Sequence, residues 1–304
     1  MKTMPPQKVL ESRLLEQSAL EAGFIKAKAA ALNPADAALF EGPARSIMLC
    51  ALPYGNLQAD EPLPEDNGEA VYAEIAPFAR FNYYREAARR LLKLACGLRA
   101  EGLYAKKDFR IFCNSRLNEK YLAEHYGLGR RARNGLILIP EAGSLFVIAG
   151  MSLPFEIQRE PEEADVDAGQ FPLCANCMGK GRGKPPCVRA CPCGALEGDG
   201  RVTLEKCIQW YASGNGAAVP PLVRNNWGKR LYGCGACQDA CIYNQRPLNG
   251  CITTLGALPR FMDARKLCGM SDGALRAFFK GSAMGMSWLT PQTIRRSARL
   301  CAPP

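Results

Sequence analysis

The feature that most constrains this chain is a pattern formed by eight of the nine cysteines between positions 174 and 241. They fall as Cys174-x2-Cys177, then nine residues, then Cys187-x3-Cys191-Pro192, then Cys207, then Cys234-x2-Cys237-x3-Cys241. A C-x2-C step lets two sulfurs from one tight turn grip neighbouring irons, while the cysteine that closes a C-x3-C step faces away and reaches a second cluster. The spacing therefore predicts two [4Fe-4S] clusters. Cys174, Cys177, Cys187 and Cys241 would hold one, and Cys191, Cys207, Cys234 and Cys237 the other. Two alternatives stay open at this level. C-x2-C knuckles also build tetrahedral zinc sites, and Cys193, inside Cys-Pro-Cys, competes with Cys191 as the eighth ligand.

Fifteen cysteines in 304 residues would suggest disulfides in a secreted chain, but the opening MKTMPPQKVLESRLLEQ has no apolar signal core. A reducing cytoplasm is the expected setting, where clustered cysteines are metal ligands. No apolar run reaches the roughly 18 residues of a membrane span, so no membrane partner is expected. With 48% hydrophobic and 22% charged residues the composition is that of a globular protein. The formal charge of +10 suits a polyanion such as RNA. Cys50 and Cys96 sit in apolar patterns as small hydrophobes. Cys251, Cys268 and Cys301 belong to no motif.

Helical spacing predicts an amphipathic helix over 9–22, a second with a basic outer face over 83–100, and a third around 119–125. Apolar runs at 47–52, 109–113, 136–139 and 145–150 read as strands. This alternation points to an α/β (α+β) domain over 1–165. The acidic stretch 160–169 reads as a linker, and 55–69 as a loop. A ferredoxin-like two-cluster module would follow over 166–255, and a short helical segment over 256–304.

Several segments resemble the epoxyqueuosine reductase family of cobalamin-dependent iron-sulfur enzymes, relatives of the reductive dehalogenases. Tyr232-Gly-Cys-Gly-Ala-Cys-Gln-Asp-Ala-Cys-Ile-Tyr-Asn244 is similar to the family's Tyr-Gly-Cys-Asp-x-Cys-Gln-x-x-Cys-Pro-Trp-Asn, and Cys207-Ile-Gln-Trp-Tyr to its Cys-Ile-Ser-Tyr. Glu119-Lys120, Gly127-Leu128-Gly129 and Arg133-Asn134 resemble its Glu-Arg/Lys, Gly-Leu-Gly and Gly-Lys-Asn elements, with Gly143-Ser144 following. Ala79-Arg80-Phe-Asn82-Tyr83-Tyr84 resembles its Asp-Tyr-His element. Phe279 to Ala283 and Arg295 to Ala298 also fit. The family's longer members continue into a helical-repeat domain, for which no counterpart is expected here.

The resemblance implies a base-off cobalamin in the N-terminal half, fed by the two clusters. Cofactor contacts are expected from Asn82, Glu119, Gly127, Gly129, Arg133, Asn134 and Ser144. It further implies a low-potential donor of flavodoxin or ferredoxin type, tRNA as a partner, and a monomer. The Asp-x-His-x-x-Gly pattern that ligates cobalt through histidine is absent, and His125 is the chain's single histidine.

The departures fall on acid-base positions. The family's aspartate, six residues before the glutamate and taken as the proton donor, is Cys113 here, followed by Asn114. The Asp and His of Asp-Tyr-His are Asn82 and Tyr84. The expected reacting groups are therefore Cys113, Asn114, Tyr83 and Tyr84. Arg133 replaces lysine, keeping charge but not the compact ammonium. The basic loop 178–184 reads as a solvated insertion that could dock a polyanion. An electron-transfer or corrinoid-handling protein without substrate chemistry is the second reading.

Overall fold

The computed structural model describes residues 10–54, 64–65, 70–100, 108–158, 171–178, 183–214, 218–246 and 248–302. The linker expected over 160–169 lies outside them, as do most of the 55–69 loop and the centre of the 178–184 loop.

The apolar run at 47–52 becomes the central strand Ser46–Pro53, buried along its whole length. Such a strand needs cover on both faces. It pairs antiparallel with Lys26–Ala31 on one side and with Phe146–Leu153 on the other, and the latter pairs antiparallel with Arg110–Cys113. Alternation sorts the side chains. Met48, Cys50 and Leu52 face a core completed by Leu15, Ala19, Ala87 and Leu91. Those residues come from the helices Ser12–Glu21 and Tyr83–Ala100. Ile47, Leu49 and Ala51 face Leu122, Leu128 and Ile137, brought by the helix Glu119–His125 and the chain beyond it. Gly150 sits opposite Leu49, where a Cβ would run into Phe112 and the Met48 carbonyl.

A second core forms around the buried Trp227, Tyr232, Leu275, Phe279 and Ile294. Its sheet is short but joins distant parts of the chain. Tyr72–Ile75 lies in the middle, parallel to Arg230–Tyr232 and antiparallel to Phe261–Asp263. The helices Asp272–Phe279 and Pro291–Cys301 close this core. Asn82 helps lock it: its Oδ1 accepts from the Arg85 N–H at 3.1 Å, capping the long helix, and its Nδ2 donates to the Gly281 carbonyl at 2.9 Å. No helix among the described residues is long and apolar enough to cross a membrane.

The cysteine-rich segment is clamped to the four-stranded sheet by side-chain amides. The Asn244 Oδ1 accepts from the Ser144 N–H at 2.7 Å, and its Nδ2 donates to the Ser144 Oγ at 3.0 Å and the Gln238 carbonyl at 2.9 Å. Gln238 Nε2 donates to the Tyr54 hydroxyl at 2.8 Å and the Ser144 carbonyl at 2.9 Å. Gly143 is required beside this clamp, because its φ is +57° and a Cβ would collide with the Asn244 side chain and the Tyr243 backbone.

Asn244→Ala strands buried groups on both sides of the clamp, which costs about 1–3 kcal/mol per unsatisfied group. We expect chemical unfolding to show a free energy lower by about that amount, seen as a lowered midpoint, and a similar loss for Gly143→Ala. A midpoint equal to wild type in both variants would contradict the clamp.

Candidate cofactor site

Nine of the cysteines gather in two places, four in one and five in the other. Cys174, Cys177, Cys187 and Cys241 line a small closed pocket with Ala132, Arg133 and Asn134. Burial pushes the Cys177 thiol up to about 11, with Cys174, Cys241 and Cys187 adding to the rise and Arg133 opposing it. Cys191, Cys207, Cys234 and Cys237 lie together on the wall of a larger cavity. Burial pushes Cys237 up to about 12, reinforced first by Cys234 and Cys207. Short helical turns present the thiols: Pro186–Arg189 carries Cys187, and Ala236–Asp239 carries Cys237.

Among the described residues, no three His, Cys, Asp or Glu side chains are drawn together as a mononuclear ion would need. Four thiols around the first pocket match the four thiolates a [4Fe-4S] cluster takes. Two further observations fit such a group. The Ala195 N–H donates to Cys191 Sγ at 3.2 Å, the kind of N–H···S bond that steadies a ligating thiolate. The Nε of Arg133 is buried beside the first set with no hydrogen-bond partner among the described residues. Cys193 shares the second cavity and its thiol neighbours are Cys191, Cys234 and Cys207; its Sγ reaches the Leu222 carbonyl at 3.9 Å.

The larger cavity has a volume of about 570 Å³, within the range of small-molecule sites. It lies between the four-stranded sheet and the second thiol set. Phe146, Val147, Ile148 and Leu136 give it an apolar side, while Asn114, Asn134, Ser144 and Gln238 bring polar side chains. Asn134 also lines the first thiol pocket, and so stands between the two.

The sheet and its following turn deliver the reacting side of this cavity. Asn114 follows the strand Arg110–Cys113 with φ at +51°, the one non-glycine residue with positive φ among those described. A left-handed backbone at such a place is held by its surroundings. Glu119 does the holding, its carboxylate accepting from the Asn114 N–H at 3.0 Å and the Ser115 N–H at 2.7 Å. Burial raises the Glu119 pKa, and these N–H bonds oppose the rise. Asn114, Glu119 and Tyr84 line the cavity; Cys113 is not among its lining residues, and its Sγ donates to the Ile148 carbonyl at 3.2 Å. Burial drives the Tyr84 phenol well above its ordinary value, so it stays a neutral donor, set edge-on against Trp288.

The remaining sequence candidates are dispersed. Tyr83 is buried in the sheet core, its hydroxyl 3.5 Å from the Tyr54 carbonyl. Asn82 serves as cap and lock, away from the cavity lining. Gly127 turns the chain at φ +80°, and Gly129 lets it pass against Ile137 and Leu138. Arg133 faces the first thiol pocket. His125 is exposed, stacked on Tyr121 and within 3.4 Å of Asn33, outside the cavity. Cys96, expected as a small buried hydrophobe, is exposed on its helix. Sequence reasoning missed Tyr54, Lys120, Trp210 and Gln238, all in the lining. Lys120 donates to the Gly135 carbonyl at 3.4 Å, and burial lowers its pKa. Gln238, between two cysteines, matches the family segment, but nothing in the sequence gives it a place at the cavity.

Residues 173–244 match the family described as a 4Fe-4S double cluster binding domain. The chain is 34% identical over 129 residues to an epoxyqueuosine reductase of Bacillus subtilis, covering 42% of this chain and 30% of that protein. It is 29% identical over 248 residues to one of Listeria monocytogenes, covering 80% and 60%. The chain thus spans less than two thirds of the length of these curated relatives. Its fold is that of solved epoxyqueuosine reductases. The Streptococcus thermophilus structure superposes with a TM-score of 0.74 at 20% identity, over 95% of this chain and 80% of that one. One solved with an epoxyqueuosine-modified tRNA-Tyr stem loop gives a TM-score of 0.68 at 23% identity, over 95% and 80%.

Two filled clusters correspond to about eight irons per chain. Cys174→Ser and Cys234→Ser each remove one ligand from a different set, so each variant, reconstituted without oxygen, should retain about half the wild-type iron. Full iron in either variant would show that the sets are drawn wrongly.

Proposed function

A relative of the epoxyqueuosine reductases, the chain is, we propose, a cytoplasmic cobalamin-dependent iron-sulfur reductase acting on tRNA-borne epoxyqueuosine or a diverged substrate. The observation that carries this reading is the cavity of about 570 Å³ with one set of four thiols on its wall. A free electron carrier needs no such chamber beside its cluster. The lining suits a corrinoid. Apolar side chains can meet the faces of the macrocycle, and Asn114, Asn134, Ser144 and Gln238 can meet the amides at its edge. With no histidine in the lining, a base-off form without a protein imidazole ligand fits the donor set.

Bound there, cobalamin would supply a low-valent nucleophilic metal centre for reductive cleavage. The chain's own residues do the rest. The second thiol set would hold its cluster at the cavity wall and the first set a cluster farther out, so single electrons from a low-potential donor of flavodoxin or ferredoxin type have a two-step route inward. Glu119 fixes the Asn114–Ser115 turn at the opposite side. Tyr84 holds a proton on its hydroxyl at every physiological pH and is the proton donor we favour, in place of a carboxylic acid. Cys113, its thiol raised by burial and turned to the Ile148 carbonyl, is less well placed for that task.

Anaerobic protein titrated with cobalamin should give a base-off visible spectrum, saturating near one corrinoid per chain. Iron-replete protein that leaves the spectrum unchanged would instead support an electron carrier. In a turnover assay on epoxyqueuosine-containing tRNA, Tyr84→Phe should lower the rate by about 10²-fold or more, the usual size of a general-acid contribution, with corrinoid affinity kept. If wild type is inactive and Cys113→Asp is active, the substrate has diverged from the relatives' own.

A further inference from the structure

Arg133 stands in a place that the cavity chemistry leaves unexplained. It lines the first thiol pocket and not the larger cavity. Its guanidinium lies over the Phe171 ring, 5.0 Å from the centroid, and Nη1 donates to the Gly198 carbonyl at 3.0 Å. Both contacts fix its orientation. Nε remains buried and without a partner among the described residues. A buried donor on a fixed cation, facing four thiols, is costly unless an acceptor arrives. A sulfur-rich anionic cluster is such an acceptor.

We infer that Arg133 is a positioning residue that sets the reduction potential of the cluster held by Cys174, Cys177, Cys187 and Cys241. Reduction adds one negative charge to the cluster. A cation lining the same poorly solvated pocket stabilises the reduced form more than the oxidised one, and hydrogen bonds to sulfur act in the same direction. Guanidinium does not lose its proton in proteins, so the bias holds across pH. Arg133 lines the first pocket and not the cavity that holds the second set, so its influence falls on the first cluster.

The inference rests on the two-cluster reading and is tested by redox titration of reconstituted protein followed by electron paramagnetic resonance. The outer cluster's signal is identified as the one lost in Cys174→Ser. Arg133→Met and Arg133→Gln, both neutral, should lower the midpoint of that signal and leave the other cluster's midpoint in place. Arg133→Lys should stay near wild type. Phe171→Leu, which removes the stacking but keeps the charge, should not reproduce the shift. Unchanged midpoints in either neutral variant at full iron, or an equal shift in Phe171→Leu, would overturn it. Wild-type protein that takes up no iron would instead sink the cluster reading beneath it, and the inference with it.

Discussion

The structure depends on one polar joint, in which Asn244 and Gln238 from the cysteine-rich segment close on Ser144 and Tyr54 from the four-stranded sheet. Asn244 uses both donor and acceptor capacity and Gln238 its amide donors on backbone or hydroxyl partners, so neither can rotate without stranding buried groups. Two consequences follow from the same contacts. The helical turn carrying Cys237 is held at the edge of the sheet, and the space left between them becomes the cavity. Apolar packing alone would bring the two bodies together without fixing which thiols face inward.

The three-stranded sheet acts on a longer scale. By pairing Tyr72–Ile75 with strands from both the cysteine-rich and C-terminal segments, it builds the second core from residues as far apart as Ala73 and Cys301. Asn82 extends the effect by joining the cap of the long helix to Gly281. Tyr84, two residues on, is thereby aimed at the cavity with Trp288 behind it. A residue far along the chain thus supports a candidate proton donor near its beginning.

Much of this was legible in the sequence where a local signal existed. Apolar runs at 47–52 and 145–150 announced the central strands, and the helix over 83–100 showed its period. Lys26–Ala31 carried no such signal, since alternating lysine and alanine have low strand propensity and only pairing with Ser46–Pro53 makes it a strand. The short sheet around Tyr72–Ile75 was invisible for a related reason: its partners lie more than 150 residues away in sequence. Cysteine spacing conveyed which thiols share a pocket, because that geometry is written in local turns. The cavity lining was harder to read. Gln238 hid between two cysteines, and Arg133 was expected at the corrinoid side but faces the outer thiols, because which way a loop side chain points is decided by tertiary contacts such as Phe171.

The central claim is that a corrinoid sits in the cavity next to the cluster of Cys191, Cys207, Cys234 and Cys237. The most direct measurement is the electron paramagnetic resonance spectrum of protein carrying cob(II)alamin, with the clusters first oxidised and then reduced. Broadening or splitting of the cobalt lines on cluster reduction, lost in Cys234→Ser, is the predicted result. Cobalt lines that are identical in both cluster states would contradict the account.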